Sequence, residues 1–146
     1  MTDYLPSHRA AEWPHRLFWT LFDQRHPDEK AVRGKHGQWF WQRGLLHLEM
    51  VITMYVLPQQ DLVGVFFGRN EKLGAIEVDE RLGPHFAMLK AKLRLRPEQR
   101  SEGPRLGSIW RVNCFAEDNW PAMGDWLTTR ASRSERAVDA VLGEQD

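Results

Sequence analysis

The sequence predicts a single α+β domain, and three observations lead to that class. Apolar residues recur at spacings of three and four near the beginning, middle and end of the chain, which is typical of amphipathic helices. Between these segments apolar and polar residues alternate, which is typical of strands. The 146 residues suffice for one hydrophobic core. A hydrophobic content of 42% and a single cysteine exclude disordered chains and disulfide scaffolds.

The first predicted helix runs from Glu12 to about Arg25. Pro14 suits a first helical turn, and Pro27 pushes the residue before it towards extended geometry. The positions assigned to the core are Trp13, Leu17, Phe18, Leu21 and Phe22.

Two segments beside this helix show no period. Residues 1–11 are interpreted as a flexible N-terminus. The charged stretch from Lys30 to Gly37, which also contains Gly34, is interpreted as a loop.

An antiparallel meander of three strands is predicted next. Its first strand covers residues 38–42, Arg43-Gly44 forms the turn after it, and Pro58-Gln59-Gln60 forms the turn before a third strand, Leu62 to Phe67. In the second strand the odd positions are assigned to the exposed face. The even positions are apolar and assigned to the core: Leu46, Leu48, Met50, Ile52, Met54 and Val56.

A second helix and two more strands follow. Glu71 to Leu93 has helical spacing, with a kink or restart expected at Gly83-Pro84 because proline is costly inside a helix. Alternation predicts a fourth strand from Lys92 to Arg96 and a fifth from Ser108 to Phe115.

The last predicted helix begins at Asn119-Trp120-Pro121 and continues to about Leu142. Asparagine is a favourable cap, and proline is suited to the first turn. With this helix the domain spans residues 12–142, and residues 143–146 form a tail. The apolar stripe keeps coiled-coil spacing along Trp120, Met123, Leu127, Ala131, Ser134, Val138 and Val141.

Three short aromatic-rich segments resemble a bacterial domain of unknown function. They are Arg16 to Phe22, Val63 to Phe67, and Asp118 to Pro121 with Trp126-Leu127 further on. That domain commonly stands at the C-terminus of nuclease-like proteins and sometimes alone, and the resemblance covers residues 12–142. The resemblance implies that the protein acts together with a nuclease or a defence system. The order of elements is also similar to dimeric secretion-chaperone folds, an analogy that implies no function.

No constellation of side chains predicts catalysis. His47 and Glu49 lie two apart on one strand, but no third group completes a site, so we favour an exposed polar pair. The six histidines lack zinc-ligand spacing, and neither an acid-x-Lys nuclease pattern nor a glycine-rich phosphate loop is present. We expect Cys114 to be a buried structural thiol. We therefore expect no enzymatic activity, no metal and no cofactor.

Charge and tryptophan content indicate where a partner binds. Residues 90–111 hold seven basic and two acidic side chains, whereas residues 112–146 hold three basic and seven acidic ones. Seven tryptophans exceed what a core of this size ordinarily uses, and exposed aromatic side chains mark interfaces. The candidate partner-binding residues are Trp39, Trp41, Arg94, Arg96, Arg111 and Trp126.

These observations favour a non-enzymatic protein-interaction module of a bacterial, defence-associated system. We expect a homodimer in which the acidic segment of one copy meets the basic segment of the other, with affinity falling as salt rises. The alternative is a nucleic-acid-binding accessory of a nuclease or restriction system, with basic strands on phosphates and tryptophan on bases. We expect a cytoplasmic protein with neither a membrane segment nor a small-molecule substrate.

Overall fold

The computed structural model describes residues 13–33, 40–44, 50–69, 83–94 and 107–143. These ranges contain three α-helices and five strands. In chain order they are α1 (His15–Arg25), β1 (Val32–Arg33), β2 (Phe40–Gly44), β3 (Met50–Leu57), β4 (Leu62–Arg69), α2 (Phe86–Leu93), β5 (Gly107–Arg111) and α3 (Trp120–Gly143).

The strands form one antiparallel sheet in the order β1-β2-β3-β4-β5, so each strand pairs with its neighbour in sequence. Trp41 lies opposite Met54, and Val63 lies opposite Trp110. The α+β class and the central meander are confirmed.

The hydrophobic core lies between one face of the sheet and α3. On β3 the even positions Ile52, Met54 and Val56 are fully buried, as the alternation predicts. All seven predicted stripe residues of α3 are buried too, and the apolar ones belong to the same cluster as the sheet residues. The stripe is thus covered within one chain, and its coiled-coil spacing does not leave it exposed for a second copy.

The predicted buried face of the first helix is wrong at Leu17, Trp19 and Leu21. Trp19, which the spacing places outside the stripe, is buried, whereas Leu17 and Leu21 are 45% and 43% exposed. The reason is that Trp19 stacks on Trp41 of β2, with 5.2 Å between ring centroids. This stacking rotates the two leucines away from the core.

Two strand assignments are also wrong. Val32 and Arg33, expected in a loop, form β1 and pair with β2. Lys92 and Leu93, expected in a fourth strand, end α2, and Arg94 closes that helix in the left-handed conformation at φ 50°. The helix prevails because its positions Leu89 and Leu93, one turn apart, are both buried. A 3-10 turn at Gly83–His85 precedes α2, at the predicted interruption.

Three boundaries differ from the predictions. The predicted turn Arg43-Gly44 belongs to β2, which therefore extends the sheet by two residues. The fifth strand ends at Arg111. The Val112 amide still donates to the Asp61 carbonyl, but the Asp61 amide donates to the carbonyl of Pro58 and so does not continue the ladder. The last helix ends at Gly143, one residue later than predicted.

The sheet face opposite α3 is less exposed than predicted. Thr53, an odd position of β3, is buried. The ring of Tyr55 lies directly over Gly64, where a Cβ atom would come within 2.3 Å of that ring. Only glycine allows this close approach, and burial raises the pKa of the Tyr55 hydroxyl.

Several predictions concern segments outside the described residues. These segments are residues 1–12, 34–39, 45–49, 70–82, 95–106 and 144–146. They include Leu46, His47, Leu48 and Glu49 of the predicted second strand, and Trp39 and Arg96 of the predicted partner surface.

Replacing Ile52 with alanine should cost about 2–5 kcal/mol in the free energy of unfolding, because the change leaves a cavity beneath α3. Val51→Ala is the matched control, since Val51 is a half-buried neighbour on the opposite sheet face. Denaturant titration measures both variants. Equal, near-neutral effects would contradict the position of the core.

Candidate functional site

The candidate site is a groove between α1 and the beginning of α3. Its volume is about 370 Å³. The exposed leucines of α1 form one wall, and aromatic rings form the floor. The lining residues are Leu17, Phe18, Leu21, Phe22, Arg25, Glu117, Trp120, Pro121 and Gly124.

The aromatic floor is fixed by hydrogen bonds as well as by packing. The indole N–H groups of Trp13 and Trp120 both donate to the carbonyl oxygen of Cys114, at 2.8 and 2.9 Å. The Phe18 ring meets the Trp120 ring edge to face at 5.7 Å. Because both buried indoles have partners, the floor is a rigid surface.

The helices α1 and α3 run side by side in the same direction. Phe18 lies beside Trp120, and Phe22 lies so near Gly124 that a Cβ there would be 3.0 Å from its ring. One turn further along, Arg25 donates two hydrogen bonds to the Asp125 carboxylate, at 2.7 and 2.9 Å.

This orientation places Glu117 and the Arg25–Asp125 ion pair at opposite ends of the groove. Glu117 lies before the first turn of α3, at the end nearer Leu17, and Arg25 lies at the other end. The hydrogen bond from Arg25 holds the pKa of Asp125 below its usual value, against the opposing effect of burial. The groove is therefore apolar along its length, with a carboxylate at one end and an ion pair at the other.

A second polar cluster lies under the sheet edge, where Glu29 and Arg43 form a buried ion pair. The Glu29 side chain is fully buried, and that of Arg43 is 6% exposed. Arg43 lies opposite Ile52 and so points to the core face of the sheet. Its guanidinium also donates to Ser132 of α3 at 3.2 Å.

Both carboxylate oxygens of Glu29 are fully engaged. One accepts hydrogen bonds from Arg43 and from the Thr128 hydroxyl, and the other accepts from Arg43 and the Ala31 amide. Burial raises the pKa of Glu29, but these hydrogen bonds outweigh it and hold the pKa below its ordinary value. An ionised carboxylate with saturated oxygens is a structural clamp that joins residues 29–31 and β2 to α3.

The structure does not bring the predicted partner-binding residues together. Trp41 packs into the core against Trp19 and Phe22. Trp126 lies against Trp110 of β5, three strands away, at 6.2 Å between ring centroids. Arg94 and Arg111 are exposed at the ends of α2 and β5. Six tryptophans lie within the described residues, and each is buried or half-buried.

Sequence reasoning misses both the groove and the clamp. Spacing assigns Leu17 and Leu21 to the core, and it places Glu29 at the edge of a loop and Arg43 in a turn. The one available signal is the run of Arg16 to Phe22, which offers more large apolar side chains than one helix face can bury. Cys114 is buried as predicted, and burial is the main cause that raises its thiol pKa to about 12.

The comparisons with known proteins give no relative. No protein family, no curated protein and no solved structure matches the chain. The resemblance to the nuclease-associated bacterial domain therefore stays a prediction. Across the described ranges, each helix is too short or too polar to cross a membrane.

Glu29→Gln should cost about 3–5 kcal/mol in the free energy of unfolding, because it removes the bidentate counter-charge of buried Arg43 and leaves, among the described residues, only Glu135, 3.9 Å from that guanidinium. Lys30→Gln is the control: Lys30 is 73% exposed and pairs with Glu135 at 3.5 Å. Exposed pairs contribute only about 0–1 kcal/mol. Thermal or denaturant unfolding compares the two, and equal losses would show that the clamp carries no special stability.

The clamp should also make stability depend on pH in the acid range. Since the pKa of Glu29 is lower in the folded state, its ionisation stabilises the fold above the ordinary glutamate pKa of about 4.3. That contribution is lost as the pH falls through the folded-state pKa. Between about pH 5 and pH 3, wild type should lose more stability than Glu29→Gln. Parallel curves would contradict this.

Proposed function

We propose that this protein is a non-enzymatic protein-interaction module that binds an amphipathic helix of its partner in the groove between α1 and α3. The observation that carries the proposal is the exposure of Leu17 and Leu21 beside an apolar groove. Leaving two leucines in water on one helix is unfavourable unless a partner covers them.

The shape of the groove favours a helix as the bound element. Two parallel helices leave a long, shallow channel between them, and a third helix fits such a channel with apolar side chains at spacings of three and four. The volume of about 370 Å³ accommodates two or three such side chains. Rigid aromatic floors also keep the entropy cost of binding low.

The charged groups at the ends define the polar requirements on the partner. Glu117 favours a basic residue at one end of the bound helix. At the other end, Arg25 and Asp125 form a bidentate ion pair. This pair carries little net charge, but its fixed geometry can orient a bound partner. A bound helix with a basic residue beyond its apolar stripe satisfies these groups.

The polar clusters support a binding function over a catalytic one. Every oxygen of Glu29 already accepts hydrogen bonds, so this carboxylate is not placed to accept a proton from a substrate. The nucleic-acid alternative uses Trp39 or Trp41 as a stacking surface. The Trp41 ring is packed against Trp19, and Trp39 lies outside the described residues.

Selection from a display library of short random peptides tests the proposal. Enriched peptides should carry apolar residues at helical spacing, and fluorescence anisotropy should show at least a tenfold loss of affinity for Leu21→Glu. Met88→Glu is the matched control, because Met88 is 48% exposed on another helix. Peptides that lose affinity for the Met88 variant and keep it for the Leu21 variant would contradict the groove as the binding surface.

A further inference from the structure

We infer that the helix that occupies the groove is α1 of a second copy of this chain, so that two copies form a two-fold symmetric dimer. This inference rests on the proposed function of the groove. It places the interface on α1 and the first turn of α3, away from Trp41, Trp126 and the stripe residues of α3 beyond Trp120.

The first argument is that α1 has the properties the groove requires. Leu17 and Leu21 are separated by one helical turn and point outward together. Arg25 follows one turn later in the same row, so a basic residue extends the apolar pair. The exposed side of α1 is thus an amphipathic ridge of the kind that the channel accepts.

The second argument is that ridge and channel are neighbours on one surface. Leu17 and Leu21 form the wall of the groove and also its exposed rim. When two such surfaces meet around a two-fold axis, the ridge of each copy enters the channel of the other. In such an isologous contact both copies use the same surface, so two copies complete the assembly and no such surface is left for a third copy.

The third argument is charge complementarity. Glu117 and Arg25 lie at opposite ends of the same groove. A two-fold axis perpendicular to the groove, passing between ridge and channel, reverses the ends. Arg25 of each copy, whose Nε and Nη2 donate to its own Asp125, then offers its remaining Nη1 group to Glu117 of the other copy. The opposite charges meet twice in each dimer, and both leucine pairs meet between them.

The rest of the described surface offers no comparable patch. Four large apolar side chains are exposed among the described residues: Leu17, Leu21, Val32 and Met88. Only the two leucines share one helix. Val32 lies on the two-residue strand β1, and Met88 lies on α2.

Sedimentation equilibrium at micromolar concentration is the first test. Wild type should give a species near twice 17.1 kDa at low salt, and raising the salt concentration should weaken association. Leu21→Glu should raise the dissociation constant at least about thirtyfold. Met88→Glu should leave it unchanged.

A charge exchange is the second and sharper test. Glu117→Arg alone sets two guanidinium groups against each other at both ends of the interface, and Arg25→Glu alone sets two carboxylates against each other there. Each variant by itself should therefore dimerise weakly. In a mixture, the Glu117→Arg copy meets the Arg25→Glu copy with opposite charges facing at both ends. An equimolar mixture should form a heterodimer with clearly higher affinity than either variant alone, which also shows that both variants fold. Full wild-type affinity is not expected, because Arg25→Glu also loses its own ion pair with Asp125.

The outcomes separate this inference from the proposed function. A monomeric wild type whose groove still binds selected peptides overturns the second copy as occupant and leaves the interaction module standing. A monomeric wild type that binds no peptide overturns both. A dimer indifferent to Leu21→Glu and to the charge exchange overturns the groove as the interface.

Discussion

The burial of one apolar stripe of α3 against one face of the sheet is the constraint on which the rest of the structure depends. The seven stripe residues run along most of a 24-residue helix and pack on the even positions of β3 and the facing residues of β4. Once α3 takes this position, α1 must pack beside its first turns, where Trp120 and Gly124 accept Phe18 and Phe22. Leu17 and Leu21, at the outer edge of this helix contact, are then left partly exposed along the groove.

Two polar clusters fix α3 against the segments around α1, one around the Glu29–Arg43 ion pair and one around the Arg25–Asp125 ion pair, and they differ in environment. The buried Glu29–Arg43 pair gains hydrogen bonds from Thr128 and Ser132, which compensates for the loss of hydration. The exposed Arg25–Asp125 pair is accessible to water and so contributes little to stability, but it aligns α1 with α3. The first pair therefore holds the sheet edge to the helix, and the second shapes one end of the groove.

The sequence predicts those parts of the fold in which a pattern persists over many residues. The stripe of α3 and the alternation on β3 each repeat several times, so a single period explains them. In α1, by contrast, Leu17, Phe18, Trp19, Leu21 and Phe22 are all apolar, and spacing alone does not choose between two adjacent faces. The stacking of Trp19 on Trp41 makes that choice, and it is a tertiary contact. Leu93 fits both a helical row with Leu89 and a strand alternation with Leu95, so the sequence is ambiguous there as well.

The candidate site could not be predicted, because its parts come together only through the tertiary fold. Arg25 and Asp125 are 100 residues apart, and Glu29 reaches Thr128 across 99 residues. Charge counts and tryptophan counts point instead to residues such as Trp41 and Trp126, whose half-buried rings pack against the core. The six described tryptophans are used for packing, and the large apolar side chains left exposed on α1 are two leucines.

Site-directed disulfide formation tests most directly whether α1 of one copy packs on α1 of another. Thr20 is exposed between the two leucines, and helices in contact have axes about 8–10 Å apart, so paired cysteines there can approach bonding distance. Cys114 is buried and does not compete. Under mild oxidation, Thr20→Cys should give a covalent dimer near twice 17.1 kDa, and Met88→Cys should stay monomeric on a denaturing gel. A Thr20→Cys protein that stays monomeric while Met88→Cys links would contradict the account.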